Sequence, residues 1–336
     1  IWWRVGITNP WPSEFAGMRL WRFSMRWDAD WYVRIAEHGY THVAGQASTV
    51  GFFPGFPVAV AVAGAVLPGG TAFAGLVVAH LALIAALIYV FLLARLEFGE
   101  RVAWWTVGLL LMFPAGFFFS AVFPESLLLL GIAAALYHAR RGQWWRAGLF
   151  GLLAGATGLA GMLIVVPLAL ELWRQEGGRR IDVRDIVAVA IAPLGGLAYF
   201  GYLWARFGSP LVYFDSIAAY RRDIRAFDSY RNGTGGSLDN VFAVSDAALI
   251  GVFLIAGALL WWRVRPSYGA LVIGLTLLPL VVGAPPGIGR QLVVAFPAFM
   301  LLGRIPSEGV RMMLSAVFSL GLMLTAFFFV QGFWAG

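Results

Sequence analysis

The 336-residue sequence contains no cysteine. That excludes a disulfide framework and any thiolate metal site, and it leaves the redox compartment unmarked. Lysine is absent too, so all 24 basic residues are arginine, and only four histidines are present. Charged side chains make up 12% of the chain, far below the share that a soluble domain carries. A net charge of +7 raises nucleic acid as a partner. The arginines, however, stand at the ends of apolar runs and in loops rather than along one basic stripe, which suits anionic lipid head groups and argues against nucleic acid. No signal peptide of the usual layout opens the chain. Ile1-Trp2-Trp3-Arg4 reads as the end of a longer segment, so a first transmembrane helix is expected before residue 1.

What the chain has in abundance is apolar surface: 60% hydrophobic residues and a mean hydropathy of +0.80. Repeated apolar runs near the bilayer-spanning length predict an all-α, polytopic transmembrane bundle of about nine to eleven spans. The runs cover 72–94, 102–119, 122–138, 147–172, 186–205, 245–262, 268–283, 290–303 and 311–331, with a shorter candidate at 56–68. Basic connectors "ARLEFGER" (94–101), "HARRGQWWR" (138–146), "WRQEGGRRIDVRD" (173–185) and "WWRVR" (261–265) are assigned to the cytoplasm by the positive-inside rule. The 147–172 run then starts and ends on one side, and a break is expected in its "AGATGLAG" centre.

Two long polar regions interrupt the pattern, at about 5–55 and 206–244. The second carries Arg206, Arg221, Arg222, Arg225 and Arg231 beside Asp215, Asp223 and Asp228. These arginines are either offset by the acids or form an anion-handling surface, for which guanidinium forks suit phosphate oxygens. The first contains "RWDADWYVRIAEHGY" (26–40) and closes with "STVGFFPGFP" (48–57).

A helix is predicted over residues 29–38, capped by Asp28 and closed by Gly39. At about 15 Å it is too short to cross a bilayer. Trp27, Trp31 and Tyr32 would anchor it at the head-group level. Asp30 stands four residues before Arg34, the spacing of an intrahelical ion pair. Asp28 is left either as a plain N-cap or as a partly desolvated carboxylate able to act as general base. A metal reading is also open: Asp28 and Asp30 form a weak acidic pair for Mg²⁺ or Mn²⁺, with Glu37, His38 and His42 nearby. Gly39 interrupts the helical face that the two histidines would need.

"RWDADWYVRIAEHGY" followed by "VGFFPGFP" resembles the Trp-Asp…Trp-Tyr…Ile-Ala…Gly-Tyr and Phe-Phe-Pro-x-x-Pro signature of PIG-V-like membrane mannosyltransferases, which belong to the GT-C class of polyprenyl-phosphate-sugar glycosyltransferases. In register, "FPAGFFFSAVFPESLLLL" (113–130), "RFGSPLVYFDSIAAYRR" (206–222) and "GRQLVVAFPAFMLLG" (289–303) are similar to later segments of that family. The chain departs from the pattern at Gly158, where bacterial relatives carry arginine in Thr-Arg-x-x-Gly, at Gln291, where tyrosine is usual, and at Pro124.

The resemblance implies a single integral-membrane glycosyltransferase domain over residues 1–336, in the cell membrane if bacterial, with its active site on the extracytoplasmic side. It implies that Asp28 is the catalytic carboxylate for an inverting transfer from a polyprenyl-phosphate sugar to a hydroxyl on a lipid, glycan or protein. Arg290, Arg34 and Arg221 are the candidates for holding the donor phosphate. Trp27, Trp31, His38 and Glu125 are the candidates for touching substrate. No cofactor is required, a divalent cation being the alternative. A multi-pass transporter and a non-catalytic membrane scaffold are the competing function classes.

Overall fold

The computed structural model describes residues 25, 27–177, 181–232, 237–282 and 288–330. The helix expected before residue 1 and the first part of the 5–55 region lie outside the described residues. Among the described residues every regular element is a helix.

The first polar region supplies α1 (Ala29–His38) and runs through a 3-10 turn at Thr49–Gly51 into α2 (Gly55–Gly64). Then follow α3 (Gly70–Phe98), α4 (Glu100–Met112) and α5 (Glu125–Arg140). The next stretch is α6 (Trp144–Thr157), α7 (Leu159–Met162), α8 (Val165–Glu176), α9 (Val183–Ala190) and α10 (Leu194–Phe207). The second polar region forms α11 (Val212–Asn232) and the start of α12 (Ser237–Arg263). The chain closes with α13 (Pro266–Val282), α14 (Gly289–Leu292), α15 (Pro297–Gly303) and α16 (Glu308–Val330).

By length and composition, three of the described helices can cross a membrane: α3, α12 over Ser245–Arg263, and α16. A fourth span arises if α9 and α10, bent by 52°, count as one. The remaining apolar runs are divided into shorter helices, and glycine or proline marks the divisions. The 56–68 candidate is the ten-residue α2. Phe113-Pro114 follows the end of α4, Pro193 precedes α10, and Pro297 opens α15. Proline lacks the N–H that the helix ladder needs and clashes with the preceding turn. The 147–172 run breaks at Gly158, whose extended backbone separates α6 from α7. Such breaks are tolerated at membrane depth where protein covers the freed backbone groups.

Helix α5 is packed between α3 and α6. Its neighbour α6 comes so close to α9 that a Cβ on Gly148 would lie 1.9 Å from the Ala188 carbonyl oxygen. Small residues of this kind let membrane helices meet backbone to backbone. Exposed Trp104, Trp145, Trp173 and Trp262 lie near Arg101, Arg146, Arg174 and Arg263 in the terminal turns of α4, α6, α8 and α12. Tryptophan next to arginine is the signature of a membrane–water boundary.

The C-terminal end of α5 holds a buried ionic network. Arg140 pairs with Glu97 at 2.6 Å, and Arg265 reaches both Glu97 and Glu171 at 3.1 Å. Tyr268 donates to Glu97 at 2.8 Å, while Ser267 and Gln175 each donate to Glu171 at 2.9 Å. This network ties α3, α5, α8 and α13 together.

At the other end of α5 the two polar regions meet. The Ser48 N–H donates to Ser216 Oγ, and the Ser216 hydroxyl donates back to the Ser48 carbonyl, both at 2.9 Å. Tyr199 donates to the Val50 carbonyl at 2.8 Å. These bonds hold α10 and α11 against the loop that follows α1.

Candidate active site

Helix α1 forms where the sequence places it, but its buried face differs from the expected interfacial one. Trp31 stacks on Phe52 at 5.6 Å, and Tyr32 makes edge contacts with Phe52 and Phe56 at 5.2 and 5.4 Å. Trp31 and Tyr32 are therefore core residues, because the aromatic "GFFPGF" stretch folds over them and takes the place of head groups. Trp27 adopts a positive φ of 58° and packs against the same core. His38 is exposed at the end of the helix, 3.7 Å from Glu37. Asp30 and Arg34 form the intrahelical pair at 2.6 Å that their spacing predicts. Burial still raises the Asp30 pKa, with Arg34 opposing that rise.

Asp28 precedes the helix and makes no side-chain capping bond. Its carboxylate turns inward: Oδ1 accepts from the Tyr220 hydroxyl, and Oδ2 accepts from Arg290 Nη1. Arg290 Nε donates to Glu125 Oε1, so one guanidinium joins two carboxylates that are 97 residues apart in sequence. The guanidinium also lies over Phe123 at 4.5 Å and Phe118 at 5.3 Å. Aromatic faces favour a cation placed there. The phenylalanine-rich stretch before α5 thus forms the floor under Arg290. Glu125 opens α5, where the helix dipole favours an anion. Its second oxygen, Oε2, is buried without a hydrogen-bond partner.

These groups line a cavity of about 240 Å³. Asp28, Tyr32, Glu125, Tyr220, Arg221 and Arg290 are among its polar lining, and Leu128, Leu159, Leu275, Leu278, Val282 and Val294 supply apolar wall. Arg221 also donates through Nη2 to the Val282 carbonyl. Burial pushes the Tyr32 and Tyr220 hydroxyls well above the usual tyrosine range, so both remain proton donors. For Tyr220 the adjacent Asp28 carboxylate adds to that effect. Gly158 lies in the cavity wall with nothing within 4 Å of where a Cβ would stand. The position at which the resemblance led to the expectation of an arginine therefore faces open space.

Of the sequence-predicted site residues, the structure brings Asp28, Glu125, Arg290 and Arg221 into one cavity. Arg34, Trp27, Trp31 and His38 are not in its lining. The helical register explains the division: Asp28 and Tyr32, four apart, face the cavity, while Arg34 and His38 point away. Among the described residues no group of three His, Asp or Glu could hold a metal. Asp28 and Asp30 are engaged by different arginines rather than by each other. Tyr220 and Tyr32 were not among the predicted site residues. For Tyr220 a signal existed, since Tyr213, Ile217 and Tyr220 repeat at helical spacing along α11 and all three line the cavity.

Residues 13–170 match the family described as Mannosyltransferase (PIG-V). The chain is 31% identical over 144 residues to the GPI alpha-1,6-mannosyltransferase 2 of Cricetulus griseus, which covers 40% of this chain and 28% of that protein. Against the Rattus norvegicus protein of the same name the identity is 30% over 150 residues, covering 42% of this chain and 30% of the relative. The matched part of these relatives is thus less than a third of their length. The crystal structure of the apo oligosaccharyltransferase of Archaeoglobus fulgidus superimposes with a TM-score of 0.52 at 14% identity, covering 99% of this chain and 55% of the other. That likeness in fold extends beyond residues 13–170 to the whole chain. With helices long and apolar enough to cross a membrane, the chain is an integral membrane protein.

Proposed function

We propose that the chain is a membrane glycosyltransferase that moves a sugar, by its family a mannose, from a polyprenyl phosphate to a hydroxyl acceptor on the extracytoplasmic side. The observation that carries the reading is the cavity in which Asp28 and Arg290 meet beside an apolar wall. A lipid-linked phosphosugar has the same two parts, a charged head and a hydrocarbon chain. The acceptor hydroxyl oxygen attacks the anomeric carbon and forms the new C–O bond with inversion. The bond from that carbon to the phosphate oxygen breaks, and polyprenyl phosphate leaves with the electron pair. Asp28 takes the acceptor's proton as general base. Arg290, with Arg221 on the same wall, offsets the charge that builds on the leaving phosphate; preorganised cations are most effective in such a dry site.

In the resting arrangement Arg290 is held by Asp28 and Glu125. A phosphate competes for that guanidinium, because bidentate arginine–phosphate pairs are strong. Donor binding then releases Asp28 Oδ2 for the proton. A divalent ion fits this donor set poorly, since the space between the two carboxylates is already bridged by a guanidinium. The reading accordingly assigns the cationic role to Arg290 and routes no step through a metal. Convergence of two acids and two arginines in one lipid-like cavity also favours an enzyme over a scaffold.

The test is transfer from polyprenyl phosphomannose to membrane lipid extract by the full chain in nanodiscs. Asp28→Asn should lower the rate at least about 100-fold, the scale of losing a general base. Near-normal transfer by that variant would sink the assignment.

A further inference from the structure

We infer that Tyr220 is a positioning residue that fixes the Asp28 carboxylate through Oδ1 and so leaves Oδ2 as the oxygen that takes the proton. The inference rests on the reading of Asp28 as base. Nothing local orients this carboxylate: α1 leaves it uncapped, and its own backbone carbonyl is used by the Tyr32 N–H at 3.3 Å. Its orientation comes from two side chains far away in sequence, Tyr220 on α11 and Arg290 on α14.

The two partners are not equivalent. Arg290 carries the charge for which a phosphate competes, so its bond to Oδ2 is exchanged when donor binds. The Tyr220 hydroxyl is neutral and offers a phosphate little by comparison. It is also held in place independently of Asp28. The reciprocal Ser48–Ser216 bonds, the Arg222 bond to the Gly45 carbonyl at 3.2 Å and the Arg221 bond to the Val282 carbonyl pin α11 on three sides. The Tyr220 ring is set edge-on against Phe52 at 6.1 Å. When Arg290 turns to the phosphate, Tyr220 remains, and the carboxylate does not rotate away from the acceptor. The charged and titratable groups around Asp28 are then Arg290 from α14, Tyr220 from α11, Tyr32 from α1 and Glu125 from α5. Of these, Tyr220 alone gives the carboxylate a neutral hydrogen bond.

The experiment uses Tyr220→Phe in the full chain in nanodiscs, with two readouts. Phenylalanine keeps the ring contact with Phe52 and removes only the donor, so the thermal midpoint should stay close to that of the parent. Transfer from polyprenyl phosphomannose should show kcat reduced roughly 10- to 100-fold, the scale of one hydrogen bond to a charged group, with the donor KM within about 2-fold. The second readout needs no turnover: labelling of Asp28 by dicyclohexylcarbodiimide at one fixed pH, followed by peptide mass spectrometry. This reagent attacks protonated carboxyls. With the Tyr220 bond to Oδ1 gone, Asp28 labelling should rise roughly 3- to 10-fold while Glu171 labelling stays unchanged.

Unchanged Asp28 labelling would overturn the inference, as would raised labelling with kcat untouched. A rise in KM with kcat and labelling unchanged would make Tyr220 a substrate contact and would also overturn it. If the parent chain transfers no sugar while Tyr220→Phe still raises Asp28 labelling, the glycosyl-transfer reading falls and the hold of Tyr220 on Asp28 stands.

Discussion

Helix α5 carries a buried charge cluster at each end, about 22 Å apart at 1.5 Å per residue between Glu125 and Arg140. At the Arg140 end two carboxylates face two arginines, and all four carboxylate oxygens have partners: both oxygens of Glu97 meet Arg265, and those of Glu171 meet Arg265, Gln175 and Ser267. At the Glu125 end two carboxylates share the guanidinium of Arg290, Glu125 Oε2 lacks a hydrogen-bond partner, and the cluster opens on a cavity. Satisfied buried charges hold helices together. An incompletely satisfied set beside a cavity is arranged to meet something else, since burying a charge without full pairing is costly. Chemical composition alone does not separate the two clusters; saturation does.

Removing the central arginine from each cluster tests this contrast most severely. Arg290→Ala should lower glycosyl transfer by at least about 100-fold, as the loss of a preorganised charge does. Arg265→Ala should cost about 3 kcal/mol of stability, because Glu171 and Glu97 lose a buried partner. Transfer per folded molecule should be retained in that variant. Thermal melts and single-turnover rates on the same nanodisc samples separate the outcomes. Equal losses of activity per folded molecule would erase the distinction between the clusters.

A smaller effect is expected at the α6–α7 break that forms part of the cavity wall. Gly161→Ala would place a Cβ 1.8 Å from the Ala154 carbonyl oxygen, and backbone cannot move aside cheaply. Overpacking of this kind costs about 1–3 kcal/mol or more. Gly158→Ala, three residues earlier, adds a methyl to open space on extended backbone and should change stability by less than about 0.5 kcal/mol. Melting curves of the two variants decide the point; matching losses would mean that the break is not packed as described.

Much of the fold was legible because its signals are local. Apolar runs gave a helical membrane protein, and Asp28 and Gly39 bracketed α1 to the residue. Local signals also misled. Pro and Gly divide several of the apolar runs into short helices, a division that hydropathy alone does not mark. Trp31 and Tyr32 have the composition of head-group anchors, yet the aromatic stretch from Phe52 to Phe56 buries them. Glu97 and Glu171 carry no local mark of the buried network they share: the partners of Glu97 lie 43 to 171 residues away. The site was half visible for the same reason. Asp28 stood out by lacking a local partner, whereas Tyr220 meets it across 192 residues.

Arg34 gives the smallest expected effect. Both Arg34 and Arg290 bind an aspartate of the "DAD" triplet, so in sequence they compete for the same phosphate-binding role. Arg34 is about a third exposed, pairs with Asp30 within one helix and lies outside the cavity lining. Such exposed pairs contribute about 0.3–0.5 kcal/mol. Arg34→Ala should therefore change the donor KM by less than about 3-fold and leave kcat unaltered, as the same free-energy scale implies. Titrating polyprenyl phosphomannose against this variant and against Arg290→Ala reads the comparison directly. A large rise in KM for Arg34→Ala would move the phosphate to the outer face of α1, where Asp30 rather than Asp28 would be the nearer carboxylate. The assignment of the inner cluster as the reacting one would then fail with it.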